Sequence, residues 1–541
     1  MGQTPEEVQQ NVAERLCWQA ARRDDARVAR RLYRKQVVDG VYRLDEGALL
    51  DDFFYYLQQL GVVDLLDDVQ GTAVQREMVP FVQSVLLSSL KTLGGIASMH
   101  ALPDWLCSDA ALMRLVGFNA QQVRQGVCQR GAAQRRGPRT TGPIGPEALA
   151  DHIVKLNLRD LEVLCNRAIR ALAQAGVLAA KVTGIVDATD WETTAQYEGR
   201  GQVTRTRKIT DQRGRVHAIE VTVYGWKLIV VIDARTTLPL AGTVVPIQEH
   251  ETLSLRALVT PARTHLAGHA RLHKVVFDKG FWDGVERWWL QQHGVLFVVP
   301  AKANMAVTLD AQAQAATGDD ITVGRRVHTV RHGQGKTAWT ERRATEVVGI
   351  AALTTDDQYG TPEHGRQANR RDFQPNPIHA VVVRTWNGHE YGPGGKTVFL
   401  TNASVETPLQ PFDDDDDRSL IEHGWITERT QPWRWQHPPQ KTARAVRVHV
   451  LFTVLMFALA TAYRRPGEQA DTGREPVGWQ RWRRQLLEQT RDHVIVFAQD
   501  CYGIFHMAAY SLLVGVQLKD VPPGIGTCQE ILAKFGLVPP G

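Results

Sequence analysis

Two aspartates in this sequence follow short apolar segments and precede small residues. Asp187 comes directly after residues 182–186, and Asp278 comes directly after residues 274–277. Each apolar segment predicts a β-strand. Side chains at the ends of neighbouring strands converge, and α/β sheets place their chemistry at that edge. Each aspartate alone would more often be a turn or cap residue, but together they are candidates for binding a divalent metal.

A third candidate ligand, Glu422, lies in residues 413–429, which predict a helix. This segment has no Pro and a single Gly, and its leading aspartates favour a helix N-terminus. At about 100° per residue, Arg418, Glu422 and Arg429 fall on nearly one face. Positive neighbours keep a carboxylate ionised, as a metal ligand must be. An isolated Arg–Glu pair at this spacing is usually a surface ion pair, so the metal-binding interpretation of Glu422 depends on the two aspartates.

Three converging carboxylates would suit a pair of Mg²⁺ ions, because Mg²⁺ is a hard cation that prefers oxygen ligands. Two such ions ~3.5–4 Å apart activate a water or a 3′-hydroxyl and stabilise the leaving oxygen at phosphorus. Asp233 also ends an apolar run, but we interpret it as a turn residue because an ordinary turn sequence follows. Asp190 and Asp283 are placed outside the metal site.

The elements around these residues predict an α/β fold with a mixed sheet. Strands are expected at residues 182–186, 217–224, 227–232, 274–277 and 295–299, and helices at 252–269 and 283–293. Residues 303–395 contain short β-prone runs between turns and no helical periodicity. They predict a β-rich insertion between the last core strand and the Glu422 helix. A helical N-terminal domain and a helical C-terminal region are expected on either side of this core.

Length and composition limit the class of protein. A chain of 541 residues exceeds one hydrophobic core and predicts two to four domains. The six cysteines form no C-x-x-C pair, which argues against a zinc site or a disulfide framework and fits a reducing compartment. Glu6, Glu7 and Glu14 stand where a secretory signal would need an apolar core, so we expect no export signal. Residues 448–462 are apolar but too short for a bilayer, so we expect a buried helix, no membrane association and a cytoplasmic protein.

One segment is suited to a phosphate backbone. Residues 110–146 contain no Asp or Glu but several arginines, including Arg135 and Arg136. Such a basic segment with Gly and Pro fits nucleic-acid binding, and a solvated linker is the equally weighted alternative.

These motifs resemble the DDE transposases of bacterial insertion sequences, in the group with a Tyr-x2-Arg-x3-Glu-x6-Lys signature. Arg418-x3-Glu422 matches in full, whereas Asp415 replaces the Tyr and Arg429 replaces the Lys. The context of Asp187 resembles that of the family's first aspartate, with Thr189 two residues later. Asp278 resembles the second, with Gly280 and Phe281 after it. The resemblance covers roughly residues 145–465.

The resemblance implies an RNase H-like core, two Mg²⁺ ions with Mn²⁺ as a substitute, and strand transfer at the ends of the element's own DNA. Asp187, Asp278 and Glu422 would be the catalytic metal ligands, and Arg418 and Arg429 would contact phosphates. Lys279, Lys302, Arg135 and Arg136 are further candidate DNA contacts. The partners implied are double-stranded DNA, both terminal repeats and target, and a second copy of the chain in a synaptic dimer.

We therefore divide the chain into six segments. They are 1–125, a helical domain for DNA-end recognition; 126–146, a basic Gly/Pro linker; 147–302, the first part of an RNase H-like core; 303–395, the β-rich insertion; 396–465, the second part of the core with the Glu422 helix; and 466–541, the C-terminal region.

Two alternatives remain open on the sequence. One is an RNase H-like nuclease that cuts DNA without joining it, and the carboxylates cannot separate this from a transposase. The other is a catalytically silent DNA-binding protein derived from a transposase. The intact Asp187, Asp278 and Glu422 argue against the silent protein.

Overall fold

The structure of this chain is a computed structural model that divides into two compact units. It describes residues 22–45, 47–67, 81–94, 96, 98–106, 109–118, 123, 151, 154–210, 214–318, 321–332, 338–367, 370, 375–391, 397–421, 438, 440–469, 484–485 and 488–537. The first unit takes in residues 1–171 and 432–541, and the second takes in residues 172–431.

The strands come from both units and are numbered along the chain. They are β1 (Arg22–Arg23), β2 (Gly40–Arg43), β3 (Lys181–Thr193), β4 (Gly201–Thr210), β5 (Val216–Asp233), β6 (Pro239–Pro246), β7 (Arg271–Phe277), β8 (Leu296–Pro300), β9 (Ile321–His332), β10 (Trp339–Leu353), β11 (Ile378–Trp386), β12 (His389–Glu390), β13 (Val398–Thr401), β14 (His493–Ala498) and β15 (Cys501–His506).

The helices are numbered in the same way. They are α1 (Asp25–Tyr33), α2 (Ala48–Gln59), α3 (Val62–Asp67), α4 (Phe81–Leu93), α5 (Leu102–Leu106), α6 (Ala110–Leu115), α7 (Leu158–Gln174), α8 (Leu255–Leu266), α9 (Gly284–Gln292), α10 (Ala306–Thr317), α11 (Pro362–Gln367), α12 (Leu409–Ile421), α13 (Ala443–Gln469), α14 (Met507–Leu513) and α15 (Cys528–Lys534).

The second unit is built on one mixed sheet, which confirms the predicted α/β class. Along the sheet the described strands follow the order β4-β5-β3-β7-β8-β13-β11-β10-β9, with β6 beside β5 and β12 beside β11. The neighbours β3, β7 and β8 run parallel, and the remaining pairs are antiparallel. Apolar residues of β7 and β8 are almost continuous because central parallel strands are buried on both faces.

Two strands are longer than the sequence predicts. β3 continues through Asp187 to Thr193, because its antiparallel partner β5 extends beyond the end of β7. β5 is a single strand instead of two strands around Gly225. A Cβ at Gly225 would lie 2.2 Å from the carbonyl oxygen of Trp191, so this glycine permits close strand packing and is not a turn residue.

The insertion contains a helix that was not predicted. α10 buries Val307, Ala311 and Ala315, spaced four residues apart. Two of these are alanines, which give little hydrophobic contrast, so the periodicity is weak in the sequence. The β-rich part extends the core sheet, since β13 pairs with both β8 and β11.

The first unit joins the two ends of the chain. Its four-stranded sheet has the order β1-β15-β14-β2, so strands from the N-terminal part pair with strands from the C-terminal part. Val28 and Leu32 of α1 pack in one core with Val496 and Phe505. The helical C-terminal region expected after residue 466 therefore contains strands. Sequence reasoning missed this sheet because its paired strands lie some 450 residues apart in the chain.

The long apolar helix of the first unit is mostly buried. By length and composition alone, Ala443–Arg464 is the one helical segment among the described residues that could cross a membrane. In its most apolar stretch 78% of the helix is buried inside the protein, as expected for a core helix.

Burial of Asp51 in α2 predicts a pH dependence for the stability of the first unit. Burial raises the pKa of Asp51 to about 7, although Arg23, at 3.0 Å, opposes the rise. An unfolded Asp titrates near ~3.9, so the folded state binds an extra proton between about pH 4 and 7. Stability from this group is present below pH ~3.9 and is lost as the pH rises through 7.

We therefore expect Asp51→Asn to flatten the pH profile of thermal unfolding. The melting temperature of the parent protein, relative to that of the variant, should fall between about pH 4 and 7. Parallel melting profiles for the two proteins would contradict the assignment.

Candidate active site

Asp187 and Asp278 lie side by side on neighbouring parallel strands. The β3–β7 pairing ends with Val186 opposite Phe277, and each aspartate is the next residue along its strand. Neighbouring strands are ~4.8 Å apart, and residues in matching positions share a face. The two carboxylates are therefore brought together on one face, where β7 ends. This is the convergence that the sequence predicted, although Asp187 lies within β3 and not at its end.

The two aspartates differ in their surroundings. Asp187 is 8% exposed, and its Oδ1 accepts a hydrogen bond of 2.8 Å from the amide of Ala188. Asp278 is half-buried and precedes a 3₁₀ turn, Lys279–Phe281. Within the described residues, the Asp278 carboxylate has no hydrogen bond or ion pair. It is therefore open to a cation.

Glu251 is an acidic neighbour that the sequence analysis missed. A Cβ at Gly280 would lie 2.1 Å from Oε2 of Glu251 and 3.9 Å from Oδ2 of Asp278. Gly280 therefore allows the Glu251 side chain to approach the turn after Asp278. Lys227 holds this glutamate with an ion pair of 3.0 Å. Glu251 lies in a 3₁₀ turn before α8, without a preceding apolar strand, so the strand-end pattern could not find it.

α12 is the helix expected to carry the third carboxylate, but it begins four residues earlier than predicted. It starts at Leu409, so the five aspartates 413–417 occupy its interior and not its N-terminus. Basic side chains on two strands of the sheet stabilise the aspartates in the helix interior. Lys274 of β7 binds Asp414 at 2.6 Å, and Arg326 of β9 binds Asp413 and Asp416 at 2.8 and 2.7 Å.

The aspartates of α12 also influence one another. Burial raises the pKa of Asp417, and the neighbouring Asp414 and Asp416 raise it further. Asp415, which replaces the tyrosine of the signature, accepts a hydrogen bond of 3.1 Å from Nε of Arg418. Arg418 is itself buried. The acidic side chain at position 415 therefore binds its neighbour on the helix.

The Lys274–Asp414 pair shows which face of the sheet α12 covers. Side chains alternate along a strand, so Lys274, Val276 and Asp278 share one face. Because Lys274 contacts α12 on that face, α12 lies over the face that carries the two aspartates. Asp414, Arg418 and Glu422 are spaced four residues apart in the sequence. Glu422 and Arg429 themselves lie outside the described residues.

Of the other four candidate DNA contacts, two lysines lie near Asp278 and two arginines lie outside the described residues. Lys279 follows β7 and Lys302 follows β8, and both side chains are exposed. Since β7 and β8 are parallel, the two lysines lie at the same edge of the sheet as Asp278. Arg135 and Arg136 lie outside the described residues.

Three other aspartates have partners within the protein: Asp233, for which the sequence predicted a turn, and Asp190 and Asp283, which it placed outside the metal site. Asp233 accepts a hydrogen bond of 2.9 Å from the amide of Thr236 and so closes the turn after β5. Asp283 caps α9 by accepting from the amides of Val285 and Glu286. Asp190 forms an ion pair with Arg205.

The part of the site that the structure describes is suited to a hard divalent cation but is not a complete metal shell. No group of three His, Cys, Asp or Glu side chains able to hold a metal occurs among the described residues. Asp187 and Asp278 supply two oxygen ligands of the kind Mg²⁺ prefers. The third ligand that the sequence analysis expects, Glu422, lies outside the described residues.

Comparison with known protein families gives a match to part of the chain. Residues 179–353 match the family model described as "Transposase DDE domain". The chain carries the DDE domain of a transposase. It is accordingly an enzyme of the polynucleotidyl transferase and nuclease type, a DDE transposase. A search of the curated proteins found no match.

The DDE transposase domain accounts for the principal features of the second unit. The matched residues run from the start of β3 to the end of β10 and include both Asp187 and Asp278. The large mixed sheet is consistent with an RNase H-like DDE domain. DDE transposases generally use divalent metal ions and bind DNA, which agrees with the paired carboxylates.

Proposed function

We propose that this DDE transposase cleaves DNA at the ends of its own bacterial insertion element and joins the freed end to a target, using two Mg²⁺ ions held by Asp187, Asp278 and Glu422. The observation that carries the proposal is the matched register of Asp187 and Asp278 beneath α12. Mn²⁺ would substitute for Mg²⁺ because both accept carboxylate and water ligands.

The bound metals would activate the attacking oxygen and stabilise the leaving oxygen at phosphorus. The protein's own residues hold the two aspartates and α12 in position. The amide of Ala188 fixes one oxygen of Asp187, and the strand register fixes Asp278 beside it. The buried Lys274–Asp414 pair holds α12 over both aspartates.

Spacing supports Glu422 as the third ligand. Glu422 follows Asp414 by eight residues, which is ~12 Å along an α-helix. Asp278 follows Lys274, the partner of Asp414, by four residues, which is ~13 Å along a strand. The two distances agree, so a helix continuing in the direction of β7 would bring Glu422 level with Asp278.

The signature also implies contacts with DNA and a second copy of the chain. Arg418 and Arg429 would contact phosphates near the transferred end, and Lys279 and Lys302 lie at the sheet edge where that DNA would approach. Arg135 and Arg136 would add sequence-independent phosphate contacts. Two element ends must be joined to one target, so we propose a dimer on DNA, acting in the cytoplasm of a bacterium.

Glu422→Gln tests the third ligand, and Glu251→Gln is its matched control. Both changes remove one carboxylate charge, but only Glu422 is proposed to bind metal. The substrate is a supercoiled plasmid that carries the DNA segments flanking the coding sequence. We expect Glu422→Gln to abolish Mg²⁺-dependent cleavage while DNA affinity stays nearly unchanged, and Glu251→Gln to retain cleavage. Full cleavage by Glu422→Gln together with loss in Glu251→Gln would transfer the third-ligand role to Glu251.

A further inference from the structure

The β9–β10 ribbon at the edge of the sheet has two chemically different faces. The two strands are paired from Ile321 opposite Ile350 to His332 opposite Trp339. Because side chains alternate, the even-numbered residues of β9 share a face with the odd-numbered residues of β10. The other residues of each strand form the opposite face.

The arginines of the first face are paired with carboxylates of the ribbon and of α12. Arg326 binds Asp413 and Asp416 of α12, while Arg343 and His332 both bind Glu341, each at 2.9 Å. His332 also stacks on Trp339, with ring centroids 4.2 Å apart. The two arginines and the glutamate that the structure describes on this face are therefore already paired within the protein.

The second face carries arginines without acidic partners. Arg325, Arg331 and Arg342 are exposed, and within the described residues none of their side chains has a hydrogen bond or ion pair. The acidic residue on this face, Glu346, is bound by Arg384 at 3.2 Å. The neighbours Val323 and Val327 are 54% and 48% exposed. We call Arg325, Arg331 and Arg342 the arginine face.

We propose that the arginine face binds the phosphate backbone of double-stranded DNA; this rests on the proposed function, because it assumes that DNA is the substrate. Arg325 and Arg331 are six residues apart, or ~20 Å along an extended strand. That length covers more than half of the ~34 Å turn of a DNA duplex. Unpaired guanidinium groups on a β-ribbon can bind successive phosphates without reading the bases.

The composition of the face favours duplex over single-stranded DNA. Surfaces that bind single strands combine positive charge with aromatic side chains on which bases stack. The exposed Trp339 of this ribbon lies on the opposite face, paired with His332. Among the described residues the arginine face has only aliphatic and hydroxyl neighbours between its charges.

The test compares two triple variants of the full chain that lose the same formal charge. Arg325→Gln/Arg331→Gln/Arg342→Gln removes the arginine face. Arg205→Gln/Arg207→Gln/Arg343→Gln removes three arginines that are already paired with Asp190, Glu192 and Glu341. Affinity for a short fluorescent duplex is measured between about 50 and 200 mM salt, and thermal melting confirms that each variant is folded.

We expect the arginine-face variant to bind duplex DNA at least about tenfold more weakly at low salt. Its slope of log affinity against log salt should fall by about 2.7, that is ~0.9 for each lost phosphate contact. The matched variant should keep a slope close to that of the parent protein. Equal losses in both variants would show that net charge alone matters, and a larger loss for single-stranded DNA would overturn the choice of duplex; either result contradicts the proposal.

The same experiment separates this inference from the proposed function. If the parent protein cleaves the flanking DNA but the arginine-face variant keeps the parent's salt slope, the inference alone fails. If the parent protein neither cleaves nor binds DNA in a salt-dependent way, the proposed function fails with it.

Discussion

Asp187→Asn and Asp278→Asn are each expected to reduce metal-dependent DNA cleavage about a thousandfold or more. An amide cannot replace an anionic ligand, and loss of a catalytic metal removes several kcal/mol of transition-state stabilisation. About 4 kcal/mol corresponds to a thousandfold in rate. The substitutions change little volume, and the two side chains share one face of the sheet, so the two variants should lose activity to a similar degree.

The measurement is single-turnover cleavage of the flanking DNA at saturating protein, with DNA affinity measured in parallel. Asp190→Asn is the matched control, because Asp190 lies on the same strand but is paired with Arg205. The control should retain cleavage within a fewfold and affinity should be unchanged in all three variants. Cleavage by Asp187→Asn at the rate of the control would remove Asp187 from the metal site.

Arg287→Met is expected to lower the stability of the second unit by about 3–5 kcal/mol. Arg287 and Asp356 form an ion pair of 2.8 Å in which both side chains are fully buried. The guanidinium also lies 4.1 Å from the ring centroid of Trp282 and 5.4 Å from that of Tyr359. Removing the cation leaves the charge of Asp356 buried without compensation, which costs more than the pair itself contributes.

Denaturant unfolding followed by tryptophan fluorescence measures this effect. Arg256→Met is the control. Its partner Glu286 lies on the same helix as Arg287, but the Arg256 side chain is 47% exposed. Exposed pairs contribute ~0–1 kcal/mol, so the control should shift the midpoint little. Replacing both Arg287 and Asp356 with apolar residues should recover much of the loss. Equal shifts for Arg287→Met and Arg256→Met would contradict the account.

The core of the second unit was predictable because its strands and helices have strong local patterns. The apolar segments before Asp187 and Asp278 became β3 and β7, and the predicted helices at 252–269 and 283–293 correspond to α8 and α9. Strand alternation and helix periodicity depend only on nearby residues. The placement of Asp187 and Asp278 together followed from the same local patterns.

Other features depend on contacts between distant segments and could not be predicted locally. The helix α12 begins before its acidic run because Lys274 and Arg326, more than 80 residues earlier, bind those aspartates. Glu251 reaches the site only because Gly280 leaves space for it. The arginine face did have a sequence signal, since Arg325 and Arg331 are an even number of residues apart and so lie on one face of a strand. The two faces could be distinguished only once the partners of Arg326 and Arg343 were known.

The central claim is that Asp187, Asp278 and Glu422 bind one pair of metals. The most direct test is anomalous diffraction from crystals of the full chain soaked in Mn²⁺. We predict Mn²⁺ bound by oxygens of both Asp187 and Asp278, with the Glu422 carboxylate completing the shell and any second ion ~3.5–4 Å away. Two results would contradict the account. One is that neither aspartate binds an ion at saturating Mn²⁺, and the other is that Mn²⁺ binds to the aspartates without the Glu422 carboxylate.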